Sequence, residues 1–393
     1  MRLLFVKPSL AWPRSSGHDI YCYHMMKALY ELGAEVSLAT ELDTDPRAVD
    51  GITLAFCGRL SDGQQIDPQP PLRLTWLQER FRSYWGVTRE HIRAMRSLAV
   101  ARRVDVVIAF GLPTLPYLTG VPEQTLRVWA MADEWVYHFL SQVRITEPRS
   151  WRHLRVAAVS GLYERAYASV VDRVWVVSNA DRNAAKWFAG MPVSDLLPNG
   201  VDTDFYRPIE QPETPNSAVF WGRLDFGPNI DALVWFCRYV WPTIIRTVPD
   251  ARFTIIGYQP TDEVVRLAAA TGVSLIPNLS DLRPTVCQHS LVVLPMISGG
   301  GIKNKLLEAA AMGRTVVCTP RACNDLRSDG SLPLVRAKGP KEWQEKTIAL
   351  WQDKTMRARL GEQARRWVAE HYSWATPARD ALAAFERAAR SRM

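Results

Sequence analysis

Residues 291–313 combine the residue types that bind a charged phosphate. The apolar run 291–294 predicts a strand, and three glycines lead from it into a predicted helix at 302–312. The first amides of a helix lack partners and carry partial positive charge, and glycine lets an anion approach the backbone closely. The glycines are Gly299, Gly300 and Gly301. This arrangement predicts a phosphate site at the start of the helix.

Side chains of the same helix extend this prediction to a nucleotide sugar. Lys303 and Lys305 lie where a helix disfavours cations unless an anion neutralises them. Glu308 falls on the same side as Asn304 and Lys305, where its carboxylate can accept hydrogen bonds from sugar hydroxyls. The pattern favours a nucleotide-diphospho-sugar, with phosphate at the glycines and ribose at Glu308. A glycine loop followed by a solvated lysine face is the alternative.

The composition is ordinary for a soluble globular enzyme. The chain has 393 residues, of which 47% are hydrophobic and 22% charged, enough for two or three domains. The apolar run 3–6 is too short for a signal peptide or a membrane span, and six scattered cysteines suit a reducing compartment. We therefore expect a cytoplasmic protein, either soluble or peripheral at the inner face of the cell membrane.

The net charge of +8 is concentrated in residues 73–103, where eight arginines accompany two glutamates. Arg89, Arg93 and Arg96 fall on one face of a predicted helix, with aromatic residues interleaved nearby. This face predicts contact with a lipid-linked acceptor or an anionic membrane, and a solvated basic face is an equal alternative. No recognised nucleic-acid motif accompanies the charge, so we expect no nucleic-acid partner.

Short β-branched runs alternate with helical stretches along the whole chain, which predicts an α/β fold with parallel sheets. Among these elements we predict a strand at 52–56, a helix at 229–248 and a helix break near Gly361. The two halves meet near residues 198–202, and a proline-rich connector follows at 208–215. We expect two Rossmann-like, doubly wound domains facing across a ligand cleft. The predicted domains are residues 1–198, which bind the acceptor, residues 199–375, which bind the donor, and a C-terminal helix, residues 376–393.

The second half resembles the GT-B glycosyltransferases of the family 4 type, also called glycosyl transferases group 1. Residues 198–206, Pro-Asn-Gly-Val-Asp-Thr-Asp-Phe-Tyr, are similar to their hinge motif. Residues 219–224 resemble their strand-plus-arginine element, and residues 299–313 resemble their donor-binding loop and helix. Residues 226–232 and 301–309 are similar to a bacterial subgroup associated with exopolysaccharide biosynthesis.

The resemblance implies a retaining, metal-independent transfer of a sugar from a nucleotide-diphospho-sugar to a saccharide or lipid-linked acceptor. It also implies that the last helix returns to the N-terminal half, and that no cofactor is needed. The predicted catalytic residues are Arg223, Lys305, Glu308 and Asp133. The predicted donor-binding residues are Gly17, Asn199, Gly200, Gly222, Arg223, Gly257, Asn278, Leu279, Gly299, Gly300, Gly301, Lys303, Asn304, Lys305, Leu306, Leu307 and Glu308.

Two departures from the family pattern affect this prediction. The family shows two glutamates eight positions apart; Glu308 matches the second, but Gly300 stands at the first. The family also pairs its arginine with a nearby lysine, which is missing after Arg223, so Lys303 and Lys305 are our candidates for that cation. The alternatives are a catalytically inactive nucleotide- or saccharide-binding module and a GT-B sugar-nucleotide epimerase.

Other acidic residues are weaker candidates. Asp133 follows the predicted strand 126–131 and could orient or deprotonate an acceptor hydroxyl, or be a solvated loop acid. Arg223 could likewise form only a surface ion pair. The Asp-x-Asp pairs at 43/45 and 202/204 have metal-binding spacing. We attribute the first pair to a turn beside Pro46 and the second to the hinge motif, and we expect no metal.

Overall fold

The structure, a computed structural model, describes residues 1–14, 16–60, 71–131, 135–143, 148–191, 194–299, 302–324, 326–327 and 330–391. The chain divides into two compact units. Unit 1 comprises residues 1–198 and 374–393, and unit 2 comprises residues 199–373.

Unit 1 is built on one parallel sheet. Its described strands are β1 (Arg2–Lys7), β2 (Glu35–Thr40), β3 (Phe56–Arg59), β4 (Val106–Phe110), β5 (Leu126–Ala130), β6 (Arg173–Val176) and β7 (Ser194–Leu196). They are ordered β3-β2-β1-β4-β5-β6-β7. Leu3 and Phe5 pack into one apolar cluster, whereas Leu4 and Val6 pack into another, because successive strand residues point to opposite faces. Both faces of the sheet are therefore covered.

Local capping fixes where several helices of unit 1 begin. The helices are α1 (Gly17–Glu31), α2 (Trp76–Tyr84), α3 (Arg89–Ala101), α4 (Trp135–Leu140), α5 (Arg152–Tyr167) and α6 (Asn179–Ala184). Ser16 accepts the Asp19 amide at the start of α1, and Thr75 and Thr88 form reciprocal caps at α2 and α3. A π-helical turn, Ala185–Ala189, continues α6.

Unit 2 has a second parallel sheet. Its described strands are β8 (Thr214–Arg223), β9 (Arg252–Tyr258), β10 (Val273–Pro277), β11 (His289–Leu294), β12 (Val316–Cys318) and β13 (Val335–Arg336). They are ordered β10-β9-β8-β11-β12-β13. The helices are α7 (Gly227–Trp235), α8 (Trp241–Thr247), α9 (Asp262–Leu267), α10 (Arg283–Gln288), α11 (Asn304–Ala311), α12 (Pro340–Gln352) and α13 (Lys354–His371). The predicted α/β fold with two doubly wound parallel sheets is confirmed, and the cleft stays a prediction.

The last helix, α14 (Ala375–Arg390), belongs to unit 1. The Trp374 ring stacks on His24 of α1 with ring centres 5.0 Å apart, and Phe385 stacks on Trp175 of β6 at 5.9 Å. Ala378 and Ala381 lie in the same apolar cluster. The end of the chain thus completes one face of the unit 1 core.

Some predicted elements differ from the structure. The helix predicted at 229–248 is interrupted by a π-helical turn, Phe236–Val240, and the strand predicted at 52–56 occupies Phe56–Arg59. The helix break predicted near Gly361 is wrong, because Gly361 lies inside α13. A Cβ at Gly361 would lie 2.0 Å from the carbonyl oxygen of Gly313, so this glycine allows close packing of two backbones.

Each sheet reverses its winding direction once. In unit 1 this switch point lies between β1 and β4, and in unit 2 it lies between β8 and β11. Open α/β sheets bind ligands beyond the carboxyl ends of the two strands at such a point. Of the helices in the described residues, none is long and apolar enough to cross a bilayer.

Candidate active site

Two connections meet at the switch point of unit 2. β8 and β11 are paired neighbours; β8 continues into α7, and β11 leads through residues 295–303 into α11. Polar side chains from β8, α7 and α11 gather there. The glycine, lysine and glutamate residues that the sequence singled out therefore stand at the position where this topology binds ligands.

Lys305, in the first turn of α11, is a half-buried cation held by a neutral partner. Its Nζ donates to Asn229 Oδ1 at 2.6 Å and lies 4.2 Å from the centre of the Phe220 ring. No salt bridge to it occurs among the described residues. Loss of solvation, with the nearby Lys303 charge, lowers the pKa of Lys305 to about 7. A bound anion would restore the charged form.

Glu308 is a buried carboxylate held by neutral donors. Trp221 Nε1 donates to its Oε2 at 2.8 Å, and the Tyr206 hydroxyl bonds to the same carboxylate. Burial raises the pKa of Glu308, while these hydrogen bonds and Lys305 oppose the rise. A carboxylate has about four acceptor sites, so two donors leave capacity for sugar hydroxyls.

Asn229 links the two sides of this site. Its side-chain amide donates to the Arg223 carbonyl at 2.7 Å while its oxygen accepts from Lys305. Sequence analysis assigned no site role to Asn229, Trp221 or Tyr206. The position of Asn229 at the third residue of α7, after Gly227 and Pro228, was the one local signal that could have indicated it.

Glycines keep the backbone close at this point. A Cβ at Gly257 would lie 1.9 Å from the Gly222 carbonyl oxygen, and one at Gly222 would lie 3.0 Å from Lys305 Nζ. Gly299 has φ +87°, and a Cβ there would lie 3.1 Å from the Pro228 ring. Larger residues would fill the space beside the cation. Gly300 and Gly301 lie outside the described residues.

Arg223, the last residue of β8, forms a bidentate ion pair with Asp225. Its Nε and Nη2 lie 3.0 and 2.6 Å from the two carboxylate oxygens, and its side chain is 40% exposed. The guanidinium lowers the pKa of Asp225. The ion pair that the sequence left as an alternative is thus present, so phosphate binding would have to compete with Asp225 or share the guanidinium with it.

Helix α11 begins at Asn304, two residues later than predicted. Lys303 has extended backbone angles and caps α11, so it precedes the first turn rather than lying in it. Asn304, the first helical residue, accepts a hydrogen bond from the buried Asn199 amide. This amide pair therefore joins Asn199, in the predicted hinge, to helix α11. Gly200 follows Asn199 in a stretch without regular structure.

The remaining predicted donor residues contribute differently. Leu306 and Leu307 are buried in the unit 2 core, so only their main-chain atoms could contact a ligand. Asn278 and Leu279 follow β10, an edge strand two positions from β8. The Leu279 carbonyl accepts from the Tyr258 hydroxyl at 3.0 Å. These two residues lie at the same edge of the sheet as Gly257, the second-last residue of the intervening strand β9.

Comparison with known proteins adds to this geometry. Residues 215–353 match the family described as glycosyl transferases group 1. This segment contains β8, α7, α11 and all of the Lys305 and Glu308 contacts except that of Tyr206. Unit 2 contains a group 1 glycosyltransferase domain. The predicted resemblance is confirmed for this domain.

A curated relative and several solved structures resemble the chain. An uncharacterized 44.6 kDa protein in the cps region of Klebsiella pneumoniae is 27% identical over 111 residues. That match covers 26% of this chain, and the chain spans only 29% of the length of this relative. Sucrose-phosphate synthase from Thermosynechococcus elongatus superposes with a TM-score of 0.73 at 14% identity, over 99% of each chain.

Two further structures have the same architecture. The pneumococcal O-GlcNAc transferase GtfA gives a TM-score of 0.65 at 12% identity, over 98% of this chain and 99% of that chain. HepE from Anabaena gives 0.63 at 14% identity, over 98% and 99%. At these identities the likeness shows the GT-B fold alone, and it extends along nearly the whole chain beyond the glycosyltransferase domain.

The switch point of unit 1 is neutralised internally. Lys7 Nζ, at the end of β1, donates at 2.6 Å to both Asp19 Oδ1 and the Ser9 carbonyl. Ser16 donates to the other Asp19 oxygen. Gly17, the predicted donor-approach residue, begins α1 between these groups, and His18 follows it. Asp133, the predicted acceptor-side acid, lies outside the described residues.

Candidate metal sites are accounted for by local structure. Asp202 accepts the amides of Asp204 and Phe205 at 3.1 and 2.9 Å, and Asp45 pairs with Arg47 in a turn. The described residues contain no group of three or more His, Cys, Asp or Glu side chains able to hold a metal ion. Metal independence stays a prediction.

Proposed function

We propose that this chain is a glycosyltransferase that moves a sugar from a nucleotide-diphospho-sugar to a saccharide or lipid-linked acceptor. One observation carries the proposal: Lys305, beside the glycine-lined switch point, is held by a neutral amide with its pKa lowered to about 7. An unneutralised cation next to a buried carboxylate matches a diphosphate joined to a ribose.

Solved structures of the same fold support this substrate class. HepE was solved in complex with UDP-glucose, and GtfA in complex with UDP and GlcNAc. A variant of TarM from S. aureus was solved with UDP, fondaparinux and α-GlcNAc-glycerol. The cps region that encodes the Klebsiella relative favours a role in surface or exopolysaccharide biosynthesis.

The reaction we propose breaks the bond between the anomeric carbon and the β-phosphate oxygen and joins that carbon to the acceptor hydroxyl oxygen. The hydroxyl proton goes to the nucleoside diphosphate that leaves. Negative charge grows on that oxygen, and Lys305, with Arg223 released from Asp225, would stabilise it electrostatically. The main chain at Gly299 allows close approach of the diphosphate. Glu308 would accept hydrogen bonds from the ribose hydroxyls, and Trp221 and Tyr206 hold its carboxylate in place.

Unit 1 would bind the acceptor, and Asp133 is our candidate for orienting the acceptor hydroxyl. Transfer would retain the anomeric configuration and need no metal, because fixed cations already face the diphosphate. Retention is tested by the anomeric proton coupling of the product. Metal independence is tested by full activity in the presence of a chelator. A cytoplasmic location at the inner face of the membrane would fit the supply of nucleotide sugars.

A thermal-shift panel of UDP-, GDP- and ADP-sugars tests the donor class, since binding to the folded state raises the melting temperature. Hydrolysis and transfer are then measured with the stabilising donor. We expect Glu308→Ala and Arg223→Ala to abolish transfer while the protein still folds. Unchanged turnover in both would contradict the site assignment.

The same measurements separate the alternative functions. Gly300 stands where the family pattern has an acid, which favours an inactive module as the second candidate. Donor binding without hydrolysis or transfer would support that candidate. Conversion of the donor to an isomer or to free sugar and nucleotide, without acceptor, would support an epimerase.

A further inference from the structure

The outward face of α5 is apolar and basic. Trp151, just before the helix, and Leu154 and Leu162 within it are 51, 45 and 55% exposed. The opposite face is already well packed, with Tyr163 and Tyr167 fully buried in the core. These exposed side chains are therefore additional to the apolar face that anchors the helix. A solvated helix face normally carries mixed charges instead.

The charges on this face all have one sign. Arg149, Arg152 and Arg155 are exposed, and none of them forms a salt bridge among the described residues. Residues 148–167 contain a single carboxylate, Glu164, which is fully buried. Within the described residues, the face thus presents three guanidinium groups and three large apolar side chains to solvent, and no carboxylate pairs with any of the three arginines.

A neighbouring turn extends the same surface. The Arg165 guanidinium, on the outward face of α5, donates to the carbonyls of Trp187 and Phe188 at 3.0 and 2.6 Å. Trp187 is 74% exposed, and Lys186 beside it is exposed as well. We define the α5 patch by the residues Arg149, Trp151, Arg152, Leu154, Arg155, Leu162, Lys186 and Trp187.

The basic face predicted from sequence is different in character. On α3, Arg89 pairs with Glu79 at 3.2 Å, and Arg93 lies 3.9 Å from Glu90. Arg96 is half-buried. Two of the three arginines therefore have acidic partners, whereas Arg149, Arg152 and Arg155 of the α5 patch have none among the described residues.

We propose that the α5 patch docks unit 1 on an anionic lipid bilayer. Exposed tryptophans insert at the headgroup level, and each arginine near an anionic surface adds electrostatic attraction. A second copy of this chain is a poor occupant, because self-association through the patch would bring like charges together. This inference rests on the membrane location in the proposed function and names the surface responsible. It is tested without donor or acceptor, so its failure is distinguishable from failure of the transferase assignment.

The test measures partition of the full chain onto vesicles of phosphatidylcholine, with and without phosphatidylglycerol. We expect binding to the anionic vesicles alone, and weaker binding as salt rises. Replacing Arg149, Arg152 and Arg155 together by Gln should lower the partition coefficient about 100-fold. Trp187→Ser should lower it about tenfold, since an exposed side chain is removed without disturbing the core.

Replacing Arg89, Arg93 and Arg96 together by Gln is the matched control, with the same change in net charge. It should lower partition by less than about threefold, because two of these arginines are already paired. Equal loss in both triple variants, or no binding by the unaltered protein, would overturn the proposal. It would also be overturned by a dimer in sedimentation velocity that Trp187→Ser dissociates while vesicle binding persists.

Discussion

The two switch points have the same strand topology, but their lysines have different partners. Lys7 in unit 1 bonds a carboxylate, whereas Lys305 in unit 2 bonds a neutral amide. In unit 1, Lys7 is buried against Asp19, and a serine satisfies the other carboxylate oxygen. In unit 2, Lys305 bonds a neutral amide, and Glu308 bonds neutral donors. The first pair is complete without a ligand. The second holds a cation and a carboxylate apart, each with unused capacity for a charged or hydroxylated ligand.

The difference shows how the same strand topology can stabilise the fold at one switch point and offer charged groups to a ligand at the other. The two charges of a buried ion pair compensate each other, so removing only one of them destabilises the fold. A desolvated lysine without an anionic partner costs stability in the free protein, and that cost is recovered when an anion binds. The comparison therefore predicts that equivalent lysine substitutions have opposite consequences.

The largest effect is expected at Lys305. Lys305→Met should lower kcat/KM for transfer about 10³-fold, because a preorganised cation at the leaving phosphate is lost. The free energy of unfolding should not fall, since a desolvated ammonium is removed and the methionine fills its volume. Both are measured on the same preparation, by donor turnover and by urea unfolding.

Lys303→Met is the control for loss of positive charge near the helix start, and a smaller loss of activity is expected there. The assignment of Lys305 fails if its methionine variant retains activity within about threefold of the unaltered protein. It also fails if Lys305→Met unfolds as readily as the unit 1 variant Lys7→Met.

Lys7→Met should act on stability. It leaves Asp19 buried without its cation, which should lower the free energy of unfolding by about 3 kcal/mol. Urea unfolding monitored by tryptophan fluorescence measures the change. Adding Asp19→Asn to the variant removes the uncompensated charge and should recover much of the loss. If the single variant loses less than about 1 kcal/mol, the pair is not the structural element that we infer.

The contrast between the two lysines was only partly readable in the sequence. The glycine turn, Lys305 and Glu308 lie within ten residues of one another, so their spacing on one helix predicted that they lie together. The strand before them was apolar and bounded by turn residues. The local sequence pattern was therefore sufficient to predict this helix and the positions of Lys305 and Glu308 on it.

The partners that give those groups their properties are remote. Asn229 is 76 positions from Lys305, and Trp221 is 87 positions from Glu308. Local sequence periodicity does not indicate which buried amide or indole from α7 or β8 contacts a residue of α11. The same limit applies to Gly361, read as a helix break because its contact, the Gly313 carbonyl, lies 48 positions away (361 minus 313).

A smaller effect is expected at Arg223, which resembles neither lysine because its carboxylate partner is two residues away and partly exposed. Asp225→Asn should remove this ion pair and raise donor affinity about threefold, since an exposed pair is worth less than about 1 kcal/mol. Calorimetric titration with the donor found in the thermal-shift panel measures this. Asp281→Asn, which removes the comparable ion pair of Arg283 while its bond to the Phe205 carbonyl remains, is the matched control and should leave affinity unchanged. Weaker binding in Asp225→Asn would indicate that Asp225 itself contacts the donor.

The smallest expected effect is the uptake of a proton by Lys305 when the donor binds. With a pKa of about 7 in the free protein, this amine is mostly neutral at pH 8. Contact with a diphosphate favours the ammonium, so donor binding should take up about 0.9 proton at pH 8 and about 0.1 at pH 6. Affinity should be nearly constant below pH 7 and fall as the pH rises above it. Calorimetry at pH 8 in two buffers of different ionisation enthalpy measures the uptake. Lys305→Met should abolish it, whereas uptake that persists in this variant would place the titrating group elsewhere and remove the distinction between the two switch points.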